Sequence, residues 1–341
     1  MFKTLQAFIM ALMMIAPVAM AADATDTSLG DAFDVSMTTN WDNYFKPDGA
    51  GDYRFNSRIK SSSINLTANI SKSIKAVLQL KIDQVIRKNG IAVSQTFDLE
   101  GFIKNAYVEI VNIGGQPIAV IIGKQKIPFS LGDGRLLDNH EDSLNPVRDM
   151  NDLVGFTVRL DYAMIGKIEV AVFENLAGKG DLDLGTIGSV AVRWSREVYK
   201  DITVSASYTH LGDEANPDAD IVEIAGVYKL GDHTFYAEGM YFHNNPKYPN
   251  ADFTVMAGYS YKLFKFGEVV AQMTYIHNYL FQVAAGMNFK VNDSLTVGPE
   301  VRWNVYDTSF KNDWEFGVRT QLKLASKKPK TQVTIFGKKP E

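Results

Sequence analysis

The chain has 341 residues, 46% of them hydrophobic, a formal net charge of −4 and no cysteine. The absence of cysteine excludes a disulfide framework, a thiolate metal site and an acylated lipoprotein anchor, and the small negative charge gives no basic footprint for nucleic acid. Mean hydropathy is only −0.10, and past the N-terminus no apolar run approaches the ~18 residues that a transmembrane helix needs.

The first element is a leader. Lys3 supplies a positive start, Leu5 to Ile15 an apolar stretch, and Ala19 and Ala21 the small residues of a cleavage site. Cleavage is expected between Ala21 and Ala22, so residues 1–21 read as a secretory signal peptide. No linker or composition shift divides residues 22–324, which read as one domain; residues 325–341 are a basic tail or the end of the closing strand.

After the leader, long segments recur with an apolar residue at every second position. In Phe253–Leu263 the residues Phe253, Val255, Ala257, Tyr259, Tyr261 and Leu263 share one face, and Thr254, Gly258, Ser260 and Lys262 the other. A period of two is the mark of a strand with one apolar and one polar side. Sixteen such strands are expected near 31–42, 55–70, 74–86, 101–112, 117–125, 153–162, 166–176, 186–196, 201–211, 219–230, 233–243, 252–264, 267–277, 279–291, 294–307 and 313–324.

The connections sort by parity. Even-numbered strands lead into short turns such as Ser71-Lys72-Ser73, Gly231-Asp232 and Asn292-Asp293, several with the Gly, Asn or Asp that tight hairpins use. Odd-numbered strands mostly lead into longer loops: 43–54, 87–100, 126–152, 177–185, 212–218 and 244–251. Short turns at one end and long loops at the other imply an all-β, transmembrane antiparallel β-barrel of about sixteen strands in the outer membrane of a Gram-negative bacterium, its apolar side against lipid and its inside wet.

With the apolar set outward, the lumen receives Lys81 and Asp83, then Arg159, Glu169 and Arg193, then Glu238, Lys262 and Lys290, and finally Glu300, Arg302, Glu315, Arg319 and Lys323. A charge turned to lipid would cost about 2–4 kcal/mol at the midplane, so the regular fall of these residues opposite the apolar set argues for a watery interior. The basic members Lys81, Arg159, Arg193, Lys262, Lys290, Arg302 and Arg319 are the candidate pore-wall residues. Paired across strands they hold the wall; facing each other across a pore they make a transverse field. Aromatic residues gather at segment ends, among them Trp41, Tyr44, Phe45, Tyr241, Phe242, Tyr259, Trp303 and Trp314, which suits two interfacial girdles. Tyr107, Tyr236 and Tyr306 fall inward and are too scattered for an aromatic slide.

The longest loop, 126–152, is third in order among the long ones. It carries Lys126, Asp133, Arg135, Asp138, His140, Glu141, Asp142, Arg148, Asp149 and Asp152, with Leu131, Leu136, Leu137 and Leu144 between them. A connection of that length is functional or unstructured. Its leucines suit a contact with the wall and its charges suit water; a surface loop that stays outside is the alternative.

The stretch Asn105-Ala106-Tyr107-Val108-Glu109-Ile110, followed by Pro117 to Gly132 with Gly123, Lys126, Pro128 and Phe129, resembles the phosphate-selective porin O/P family. Related siderophore-type porins share a similar stretch. The resemblance implies a sixteen-stranded barrel, usually a homotrimer, whose third loop folds inward as a constriction lined by residues 126–149. Two departures stand out. The third loop is more acidic than basic, so phosphate selectivity does not carry over. The chain also runs past Leu324 to Glu341, with Phe336 rather than a terminal aromatic; Thr331–Phe336 belongs either to the closing strand or to a periplasmic tail.

Catalytic signatures are missing. The five histidines, His140, His210, His233, His243 and His277, form no His-x-x-x-His pair, and no Gly-x-Ser-x-Gly, phosphate-binding glycine loop or dinucleotide fingerprint occurs. The expectation is a non-enzymatic passive channel for small hydrophilic or ionic solutes with no cofactor or metal. The rival is a non-channel barrel with a binding role, a siderophore-type receptor or an adhesive or structural protein.

Overall fold

The computed structural model describes residues 33–47, 53–87, 103–129, 153–174, 187–212, 218–244, 250–263, 267–307 and 312–325. Its strands are β1 (Phe33–Pro47), β2 (Tyr53–Asn69), β3 (Ile74–Arg87), β4 (Ile103–Ile110), β5 (Ile118–Gln125), β6 (Leu153–Tyr162), β7 (Gly166–Glu174) and β8 (Ile187–Tyr199). They continue as β9 (Ile202–Leu211), β10 (Ala219–Leu230), β11 (His233–His243), β12 (Phe253–Leu263), β13 (Gly267–Ile276), β14 (Leu280–Lys290), β15 (Leu295–Tyr306) and β16 (Asp313–Ala325). Each strand pairs with its sequence neighbours, and β1 pairs with β16, so the sheet closes into a sixteen-stranded barrel. Closure satisfies every strand's backbone groups on both sides and leaves no edge, which lipid demands.

Expected boundaries shift by a few residues, most of all at the end of β1. The ladder between β1 and β2 continues through Asp42↔Arg58 and Phe45↔Phe55 to Pro47↔Tyr53, so the first connection is 48–52 rather than 43–54. The strand was expected to stop at Asp42, and it runs on to Pro47 because the alternation continues: Asn40 and Asp42 are buried on the inner face while Trp41 and Phe45 are exposed on the outer one. The closing strand ends at Ala325 and pairs directly with β1 from Ser36↔Ala325 to Phe45↔Phe316. Residues 326–341, and with them Thr331–Phe336, lie outside the described residues.

The two faces separate as the alternation requires. Along β10, Glu223 is fully buried while Ile224 is 68% exposed. The outer belt shows Val170, Val172, Val192, Val222, Val255, Phe316 and Leu322, with Trp303 stacked on Trp314. Tyr44 and Phe242, expected in the girdles, instead lie on the inner face, because their neighbours Phe45 and Tyr241 take the outward positions.

A row of the inner face runs Tyr107, Gly123, Gly155, Phe173 across β4 to β7. Gly123 has φ +123, and a Cβ there would sit 2.3 Å from the carbonyl oxygen of Ala106. At Gly155 a Cβ would sit 2.3 Å from the Val172 carbonyl and 2.4 Å from the Phe173 ring. The glycines let the strands draw together beneath aromatic rings, a place where a side chain does not fit.

Candidate functional site: the inner wall

Charged side chains on the inner face are organised as two linked clusters. The first spans β3 to β8. Glu109 accepts from Lys75 (2.5 Å) and from Arg159 (2.6 Å). Arg159 reaches on to Glu169 at 3.0 Å, and Glu169 also binds Lys167 at 3.1 Å and Arg193. The register sets this up, since Arg159, Glu169 and Arg193 are direct cross-strand partners. Both carboxylates are buried, and each is held by more than one cation, the condition under which a desolvated charge is tolerated.

The second cluster covers β15, β16 and β1. Arg319 donates through two nitrogens to Asp42, at 2.7 and 2.9 Å. Arg302 binds Glu300 and faces Glu315 in register. In a ring of sixteen strands β16 lies opposite β8, so Arg193, at one end of the first cluster, stands on the strand opposite that of Arg319. Amides and hydroxyls line the wall beside the ion pairs. Asn105 donates to Gln79 (2.5 Å) and Gln79 to Ser63 (3.1 Å), while Gln282 donates to Asn304 (2.7 Å).

Of the candidate pore-wall residues, Arg159, Arg193, Arg302 and Arg319 are thus bound into carboxylate networks. Lys81 is exposed in register with Ser63, and Lys262 is exposed in register with Glu268. Lys290 ends β14 and pairs with Asp293 of the following turn at 3.1 Å, at the barrel mouth rather than midway along the wall. Cationic and anionic groups sit within ion-pair distance on the same wall, so much of each cluster's field cancels locally.

The start of the third long loop is inside. Lys126 is exposed, but Ile127, Pro128 and Phe129 are buried. Ile127 and Phe129 belong to one apolar cluster with Leu153, Phe173, Leu211, Ile221, Met240 and Phe242, all of them inner-face positions. Past Gln125 the chain therefore turns into the lumen and covers an apolar patch on the wall of β6 to β11. Sequence reading missed this patch by treating the inner face as uniformly polar. The signal was present at Tyr241-Phe242, where consecutive large residues cannot both face outward. Asp133, Arg135, Asp138, His140, Glu141, Asp142, Arg148 and Asp149 lie outside the described residues.

Among the described residues no three His, Cys, Asp or Glu side chains converge as a metal centre.

No family model matches the chain, and no curated protein matches it. Solved structures do. The high-pH structure of OprB from Pseudomonas putida is similar with a TM-score of 0.64 at 12% identity, covering 87% of this chain and 95% of that one. OmpF of Salmonella typhi, in complex with daunomycin, gives 0.62 at 11% identity, covering 86% and 97%. The anion-selective porin of Comamonas acidovorans gives 0.57 at 13% identity, covering 86% and 98%. At this identity the likeness is one of fold: the chain has the sixteen-stranded barrel of outer-membrane porins.

Proposed function

We propose that this protein is a passive channel for small hydrophilic or ionic solutes, spanning the outer membrane of a Gram-negative bacterium after removal of residues 1–21. The observation that carries the reading is the inner wall. Ion-pair clusters share the inner face with amides and hydroxyls, and Ile127 and Phe129 lead the start of the third loop onto that face. A wall of hydrogen-bonding groups replaces part of a solute's hydration, and a loop across the lumen sets its size limit.

In this reading Asp133, Arg135, Asp138, His140, Glu141, Asp142, Arg148 and Asp149 face the constriction, and three copies of the chain assemble as a trimer in lipid. Kinship with the phosphate-selective group rests on residues 105–132 alone, and the acidic loop speaks against phosphate as the solute. The test is conductance of the purified protein in a planar bilayer under a salt gradient. Discrete, ohmic steps are expected, and the reversal potential gives the sign of the preferred ion. Silence from folded, heat-modifiable protein would overturn the channel and favour a binding or structural barrel.

A further inference from the structure

The short-turn, periplasmic end of the barrel carries a notch on β6 to β9. Lys167 pairs with Ser195, so the β6–β7 hairpin turns level with Arg196, while β8 runs on to Tyr199 and pairs there with Ile202. The projecting end of β8 and the turn at 163–165 border an open cavity of about 490 Å³. Gly166, with φ +86, permits the close approach of the two hairpins: a Cβ there would sit 2.4 Å from the Ser195 carbonyl oxygen and 2.8 Å from the Cβ of Arg196. Trp194 fastens the turn by donating to the Ile165 carbonyl at 2.7 Å.

Arg196 and Lys200 line this cavity, both are exposed, and among the described residues neither is in an ion pair. The other charges on it face partners within the fold. Lys167 binds Glu169 at 3.1 Å, Glu197 accepts from the backbone N–H of Asp201 at 3.0 Å, and Asp161 stands in register with Lys167. Around the two cations the rim is apolar: Met164 is 84% exposed and Tyr199 73%, and Ile165 and Val198 are exposed as well. Exposed apolar groups beside unpaired cations suit a membrane–water interface rather than open water. The depth agrees. Tyr199, Ile202, Tyr228, Phe235 and Tyr259 form one cross-strand row from β8 to β12, with Tyr228 stacked on Phe235 and Phe235 against Tyr259. Such an outward aromatic row marks the level of the lipid headgroups, and Arg196 lies on the same face beside it.

We propose that Arg196 and Lys200 bind the phosphate of an anionic phospholipid in the periplasmic leaflet, beside Tyr162 and Tyr199 and with the acyl chains against the outer wall. The guanidinium fork takes a pair of phosphate oxygens and the ammonium adds a point charge. The cavity carries three cations, Lys167, Arg196 and Lys200, against two anions, Asp161 and Glu197, so a headgroup of net negative charge is favoured over a zwitterionic one.

The test uses the full-length protein folded in detergent micelles that hold equal amounts of phosphatidylglycerol and phosphatidylethanolamine, with native mass spectrometry counting the lipids that stay bound. Wild type is expected to retain phosphatidylglycerol in about fivefold excess or more. The double variant Arg196→Gln, Lys200→Gln should fold to the same heat-modifiable barrel and lose that excess. Lys200→Gln alone, a change within an exposed turn, should lower it about twofold. Lys290→Gln removes a lysine paired with Asp293 at the same end of the barrel and should keep the excess. Equal retention of the two lipids by wild type, or the wild-type excess in both Lys200→Gln and the double variant, would overturn the proposal. Added inorganic phosphate should leave the excess in place; displacement of the lipid by phosphate would assign the site to a free anion and overturn the lipid. Retention is read without conductance, so it stands or falls separately from the channel reading.

Discussion

Arg319 and Asp42 are 277 residues apart in the chain and form a two-pronged ion pair, 2.7 and 2.9 Å, across the seam where the last strand meets the first. The pair sits on the inner face, with Gln321 donating to Asn40 at 2.8 Å two residues further along. It lies on the seam of β1 with β16, the strand pairing of highest sequence separation among the described strands and the one whose loop-closure entropy is the largest. A planar guanidinium suits this place because its fork fixes the register of the two strands as well as their charge.

The seam pair should therefore show strong coupling. In a double-mutant cycle of Asp42→Asn and Arg319→Gln, a coupling of about 1–3 kcal/mol is expected. The readout is the midpoint of the heat-modifiable gel shift or of urea unfolding in lipid. Strict additivity would mean that the bidentate contact contributes nothing to closure.

Glycine is required at 123 and 155 for steric reasons. Gly123→Ala must accept φ +123 and a contact of 2.3 Å with the Ala106 carbonyl, and Gly155→Ala a contact of 2.3 Å with the Val172 carbonyl. Each is expected to cost about 1–3 kcal/mol and to lower refolding yield. Gly239→Ala, which meets nothing within 4 Å, serves as the control and should refold like wild type.

Release of the third loop should widen the channel. Deletion of residues 133–149 is expected to raise single-channel conductance with the barrel still folded. Phe129→Ala should do the same more weakly by loosening the loop's hold on the apolar patch. Unchanged conductance in both would put the loop outside the conducting path.

Charge reversal separates wall from tail. Arg159→Glu removes a cation from the network that binds Glu109 and Glu169 and adds an anion, so the reversal potential should move toward cation preference. Lys327→Glu, beyond the closing strand, should move it much less. Equal shifts would reject the assignment of Arg159 to the conducting wall.

Much of the barrel was legible because it follows from local rules. The period-two alternation at Phe253–Leu263 assigns each side chain to a face, and the parity of turn lengths sets the topology. Arg159, Arg193, Arg302 and Arg319 were read as inward for that reason, and all four lie there. Tyr44 and Phe242 were misread because aromatic residues near strand ends suit a girdle equally well on either parity.

Sequence alone determined the strand count, the order of pairing and the division between lipid-facing and lumen-facing residues, since side-chain alternation and hairpin connections are properties of neighbouring residues. Only the tertiary structure decided which groups meet: Arg319 with Asp42, Arg159 with both Glu109 and Glu169, and Phe129 with the inner wall. Those contacts depend on barrel closure and on a loop turning inward. Both bring together residues far apart in the chain, and the spacing of residues along a strand carries no information about such partners.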